Sequence, residues 1–227
     1  MASDHELHGG LGRTLPGWRT GVVLAGWLAL VLVGLSTGAF WARSAEEPPL
    51  LLLFAILGPA AMFAAAYRLS PAFRVYVLSL DLRLLTAVQA WRVGGGVFIA
   101  VHAQGLLPGL FAYPAGYGDI FTGAFAVFAL MALINRTPGW QTQLVRLNYI
   151  GLVDFAGAVG TGVLASQGPL GLLRGAVSTE ALQHYPLDLI PTFAVPLWIL
   201  VHIASLIQLR RIRAESAMTA NHAPATA

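Results

Sequence analysis

An all-α membrane protein, a bundle of six transmembrane helices with both termini in the cytoplasm, is what this sequence predicts, and three observations predict it. Of 227 residues, 57% are hydrophobic and only 10% charged, too few charges to cover a water-soluble globule of that size. The mean hydropathy is +0.71, and the apolar residues gather into six runs with no polar stretch between them long enough to build a separate core. The arginines alternate between connections. Arg13 and Arg19 precede the first run, Arg68, Arg74 and Arg83 follow the second, Arg136 and Arg146 follow the fourth, and Arg210, Arg211 and Arg213 follow the last. Only Arg43 and Arg174 fall on the opposite side, together with Glu46, Glu47, Glu180 and Asp188, so the positive-inside rule places both termini in the cytoplasm.

Residues 1–17 are polar and glycine-rich and read as a disordered tail ahead of a membrane domain over 18–210. The first span covers about 20–42, and the RSAEEPP after it offers no small-x-small cleavage pattern, so an uncleaved helix is expected. The second, about 49–67, carries a Gly58-Pro59 pair that should bend it, and Ser70-Pro71 ends it. Residues 72–85 mix apolar positions with Arg74, Asp81 and Arg83, a pattern that suits an interfacial segment.

The third span, about 86–106, contains Arg92, His102 and the run Gly94-Gly95-Gly96, and the turn-rich PAGYG delays the fourth span to about 120–134. Trp140 is placed like an interfacial anchor. The fifth span, about 147–166, has Gly151, Asp154, Ala158, Thr161, Gly162 and Ala165 on one face, the small-residue face along which membrane helices approach. A loop with a short helix near 177–184 leads to the sixth span, about 187–209. There Pro191 is harmless in the first turn and Pro196 should kink the helix. Residues 211–227 read as a second disordered tail.

Counting inward at about 1.5 Å per residue puts Arg92, Asp154 and His202 at similar depth, about 8–11 Å from the cytoplasmic side. Three ionisable groups on three helices then share one layer. The economical arrangement is an Arg92–Asp154 pair with His202 beside it, whether it acts on a solute or only pins helices three, five and six together. An outer layer holds His102, Asp119 and Asp188; for the two aspartates helix capping is the favoured role, and for His102 a buried hydrogen bond. On the sixth span, Asp188, Thr192, Val195, Ile199 and His202 fall on one face and form a polar track.

There is no cysteine, which excludes disulfides, thiolate metal sites and cysteine nucleophiles. His-Glu-x-x-His, Gly-x-Ser-x-Gly and phosphate-loop motifs are missing too, so a hydrolase is the weakest reading. All thirteen basic residues are arginine and most flank apolar runs, which assigns the basic pI to topology rather than to nucleic acid. Through QAWRVGGGVFIAVHAQGLLPGLFAYPAGYGD, LNYIGLVDFAGAVGTG and PLDLIPTFAVPLWILVHIASL the chain resembles an uncharacterised family of small bacterial inner-membrane proteins. That resemblance implies six or seven helices and a bacterial inner membrane, and no activity. The expected function is therefore a small proton-linked transporter or permease without cofactor or metal, its partners the bilayer and a second copy in a homo-oligomer, its small-molecule ligand unknown. A structural or assembly protein is the first alternative. A membrane haem or redox protein is the second, disfavoured because His102 and His202 differ by about 12 Å in depth.

Overall fold

The computed structural model describes residues 17–41, 47–48, 50–173 and 175–222, with the backbone alone for 219–222. The expected N-terminal tail, Arg43, Glu46 and Arg174 lie outside these residues, except for Gly17 at the head of the first helix. Eight α-helices follow in order: α1 Trp18–Ser36, α2 Leu50–Leu69, α3 Pro71–Ser79, α4 Leu82–Ala87, α5 Val97–Ala103, α6 Gly109–Ile134, α7 Trp140–Leu164 and α8 Val195–His222. A 3₁₀ segment, Val88–Gly96, joins α4 to α5, so Leu82–Ala103 is one span. Six helices of the described residues are long and apolar enough to cross a membrane, and the chain is a multi-pass integral membrane protein.

α6 is the hub, packed on the 3₁₀ segment and on α7. It begins at Gly109, about eleven residues earlier than the sequence suggests, with Pro114 inside it. The PAGYG stretch that reads as a turn in water is helical here because its small residues are what the neighbours need. Ala112, Ala115 and Gly116 are buried, and a Cβ at Gly116 would fall 2.6 Å from Ile99. Such residues are tolerated in membrane helices where close packing compensates for poor propensity. Further along, a Cβ at Gly123 would meet the backbone nitrogen of Val93 at 2.6 Å, which brings α6 against the 3₁₀ segment.

The 3₁₀ segment is nine residues long, where runs beyond three or four are uncommon. Burial explains its choice. Thr86, Gln89, Arg92 and Phe98 are buried and Gly95 is partly so, all at a spacing of three. In a 3₁₀ helix residues three apart eclipse, whereas in an α-helix each such step turns away by about 60°. The tighter winding keeps this whole edge against α6, α7 and α8.

The region 72–85, expected at the interface, forms α3, with Pro71 in its first turn and Ser70 capping it by accepting from the Phe73 N–H. Asp81 caps α4 by accepting from the Arg83 N–H at 2.8 Å. Between them, Gln208 on α8 donates to the carbonyls of Val77 and Leu80 at 2.9 and 3.0 Å. Trp140 is buried with Leu144, Leu147, Leu133 and Leu209. Residues 190–194 form one π-helical turn, because Pro196 has no N–H for the carbonyl four residues back. That turn rotates the helix, so Thr192, Pro196, His202, Ser205 and Gln208 are buried while Val195 and Ile199 are not. α8 then runs on to His222, so residues 211–222 are helix and not a disordered tail; Arg211 and Glu215 pair across one of its turns at 2.7 Å. α1 buries only Val31 among its own residues and is held by a Trp27–Phe193 ring contact at 4.8 Å and a Thr20–Tyr76 hydrogen bond at 2.7 Å.

Candidate functional site: an arginine between two aspartates under an apolar cavity

Arg92 is brought together with Asp154 and His202, and also with Asp119. Its Nε donates to Asp119 Oδ1 at 2.7 Å, and Nη2 lies 2.7 Å from the same oxygen. Nη2 also donates to Asp154 Oδ2 in a short ion pair. Nη1 donates to the Gly151 carbonyl at 3.4 Å and to His202 Nε2 at 3.2 Å. The guanidinium carbon sits 3.8 Å above the Phe155 ring. A guanidinium has five N–H donors; four are hydrogen-bonded here, and Nη2 also lies in ion-pair contact with Asp119. By contrast Asp119 Oδ2 and Asp154 Oδ1 accept no hydrogen bond among the described residues.

Asp119 was expected as a helix cap in an outer layer. It lies instead well inside α6, because that helix starts earlier, and its carboxylate joins the inner cluster. The outer layer does not assemble. His102 closes the end of α5, its Nδ1 2.6 Å from the Leu107 carbonyl and its Nε2 3.1 Å from the Tyr113 hydroxyl, so both ring nitrogens are engaged. Asp188 is buried, but its side chain does not cap; its carbonyl accepts from the Thr192 hydroxyl at 2.6 Å, and its Oδ1 has no hydrogen-bond partner among the described residues.

Glycines make the room. A Cβ at Gly95 would overlap the Asp119 carboxylate, one at Gly118 the Asp154 carboxylate, and one at Gly151 the His202 imidazole. The third span, α6 and α7 thus each give up a side chain where the polar groups sit. The small face of α7 divides its work: Gly151 admits the cluster, while Ala158 and Gly162 border a cavity beside Phe111 of α6.

Two groups that sequence reasoning passed over complete the inner side. Asn148 Nδ2 donates to the Leu144 carbonyl at 2.7 Å, which turns its Oδ1 toward His202 Nδ1 at 2.8 Å. The imidazole therefore carries its proton on Nδ1 and accepts from Arg92 on Nε2. Gln89 lies 3.4 Å from the same Nδ1, and with its amide turned over, Oε1, otherwise without a partner, shares that proton. The signals were there: Gln89 is one 3₁₀ turn before Arg92, and Asn148, Gly151 and Phe155 follow helical spacing.

Beside the cluster lies a cavity of about 550 Å³, lined by Arg92 and Asp119 and by Phe98, Phe111 and Trp198. The loop after α7 adds Thr179, Glu180 and Gln183 at its far end. Ser178 organises that loop by accepting from the Glu180 N–H, and Thr179 donates to the Gly162 carbonyl at 3.0 Å. Among the described residues no group of three His, Asp or Glu is placed to hold a metal ion.

Residues 48–210 match the model of a domain of unknown function (DUF8737). No curated protein and no solved structure matches the chain. The match takes in α2 and α3, beyond the resemblance seen in the sequence, together with every residue of the cluster, and leaves out α1. Since it spans well over half of the sequence, the chain belongs to the DUF8737 family, a family of unknown function.

Proposed function

We propose that the protein is a small proton-linked transporter whose coupling site is the Arg92–Asp119–Asp154 cluster. One observation carries this reading: two carboxylates share a single guanidinium, and one of them borders the cavity. A buried group of net charge −1 is costly in a low-dielectric setting. Its neutral form holds one proton or one monovalent cation, so what the cavity contains and the protonation of the cluster are linked.

The inner side cannot pass that proton on in this arrangement. His202 presents its bare nitrogen only to Arg92, and a guanidinium donates without ever giving up its charge. Exchange therefore runs through the cavity, and His202, Asn148 and Gln89 form the closed side. The finer placement belongs to the same proposal: a bacterial inner membrane, both termini cytoplasmic, the cavity opening outward, and a homo-oligomer to enlarge a six-span unit. It is supported by the arginine distribution and the bacterial resemblance.

The test uses proteoliposomes with an entrapped pH indicator and an imposed proton gradient, challenged with sugars, amino acids, organic anions and organic cations. One class should dissipate the gradient in the wild type and fail in Asp119→Asn and Asp154→Asn. Equal behaviour of all three proteins across the panel would make the cluster a structural pin and give the assembly role its place.

A further inference from the structure

We propose that the cavity binds an amphipathic organic monocation, an amine or quaternary ammonium, whose charged end takes the place of a proton at Asp119. The exchange half of this statement rests on the transporter reading above. The binding half stands on the cavity itself.

The hydrogen-bond inventory gives the sign of the ligand. Four of the five N–H donors of Arg92 are hydrogen-bonded, to Asp119, Gly151, His202 and Asp154, and Nη2 is also in ion-pair contact with Asp119. An incoming anion would find a guanidinium already committed to its neighbours and, on the lining, the carboxylates of Asp119 and Glu180. A cation would find Asp119 Oδ2, which accepts nothing from the described residues, on a carboxylate that borders the cavity. The far end repeats the sign with Glu180, and among the described residues Arg92 is the one basic side chain on the lining.

The walls give the rest of the ligand. Phe98, Phe111 and Trp198 line the same cavity as Asp119, and aromatic faces attract organic cations while excluding strongly hydrated ones. Phe155 is already covered by Arg92 and is not available. A volume of about 550 Å³ is that of a site for a drug-sized molecule. Gly94 and Gly162 leave the wall free of side chains on two sides. On binding, the ammonium forms an ion pair with the carboxylate and the carboxyl proton leaves to water, so charge balances without any other reactant.

The experiment uses the full chain in phosphatidylcholine nanodiscs and two ions of one shape and opposite charge, radiolabelled tetraphenylphosphonium and tetraphenylborate. The expected result is saturable binding of the phosphonium, with the borate at least about tenfold weaker, and release of about one proton per phosphonium in weak buffer. Asp119→Asn should abolish the preference and Asp119→Glu should keep it, each in protein that elutes and melts like the wild type. Equal uptake of both ions would identify an unselective apolar space that lipid fills, and overturn the proposal. So would preference for the borate, or a phosphonium preference untouched by Asp119→Asn. Binding is measured without a gradient, so cation binding with no proton movement in proteoliposomes would sink the transporter reading alone. Proton-linked movement of another solute class without cation binding would sink only this one.

Discussion

The carboxylate of Asp154 occupies the space that a side chain at Gly118 would fill. The ion pair with Arg92 therefore depends on a missing methyl group one helix away, on α6. Gly95 stands in the same relation to Asp119, and Gly151 to His202.

Gly118→Ala should therefore destabilise the protein by about 1–3 kcal/mol, the usual cost of overpacking. Gly157→Ala, with nothing within 4 Å of its Cβ position, should be neutral or stabilising by up to about 1 kcal/mol through helix propensity. Thermal melts in one detergent compare the two. If Gly157→Ala loses as much as Gly118→Ala, the close approach is not what the glycine is for.

Removing Arg92 alone should be worse than removing the whole cluster. Arg92→Met leaves two half-buried carboxylates without their counter-charge, and breaking such a pair by removing one partner costs up to about 3–5 kcal/mol. The triple variant Arg92→Met with Asp119→Asn and Asp154→Asn should recover most of that. A triple variant no more stable than Arg92→Met would mean that the lost stability lies in the packing of the arginine stem on Phe155 rather than in charge.

His202 should be a neutral ring protonated on Nδ1. Nitrogen NMR of histidine-labelled protein should give one protonated and one bare ring nitrogen for this residue, assigned by its loss in His202→Gln. Asn148→Leu together with Gln89→Leu, which removes both acceptors of that proton, should lower stability by about 1–3 kcal/mol by leaving a buried donor unpaired. Two protonated nitrogens would refute the hydrogen-bond assignment, since Arg92 could then not donate to it.

Topology is open to direct labelling, because the chain has no cysteine of its own. Gln104 and Leu172 are exposed at one end of the bundle, and Thr137 and Ser216 at the other. Single cysteines at the first two should react with an impermeant maleimide in intact cells, and at the last two only after lysis. The reverse pattern would place the cavity mouth on the cytoplasmic side.

The six spans were legible in the sequence because hydropathy and arginine placement are properties of composition and order alone. The meeting of Arg92, Asp154 and His202 was legible because antiparallel helices preserve depth. Asp119 was not. Pro114, Gly116 and Gly118 signal a turn in water, and only the neighbours that need their small size make them helical. Gln89 was missed for a related reason: a three-residue period is not one that α-helical patterning looks for, and it emerges only when the segment winds as 3₁₀. Asn148 looked like an ordinary polar residue near a helix start, and its importance comes from the Leu144 carbonyl that orients it.

The 3₁₀ winding of Val88–Gly96 makes the third span a screw with two pitches. A 3₁₀ helix advances about 2.0 Å and turns 120° per residue, against about 1.5 Å and 100° for an α-helix. Rewinding its nine residues would shorten the span by about 4.5 Å and turn one end against the other by about 180°. Gln89 and Arg92 ride on the same thread three residues apart, so such a rewinding would turn one against the other by about 60°.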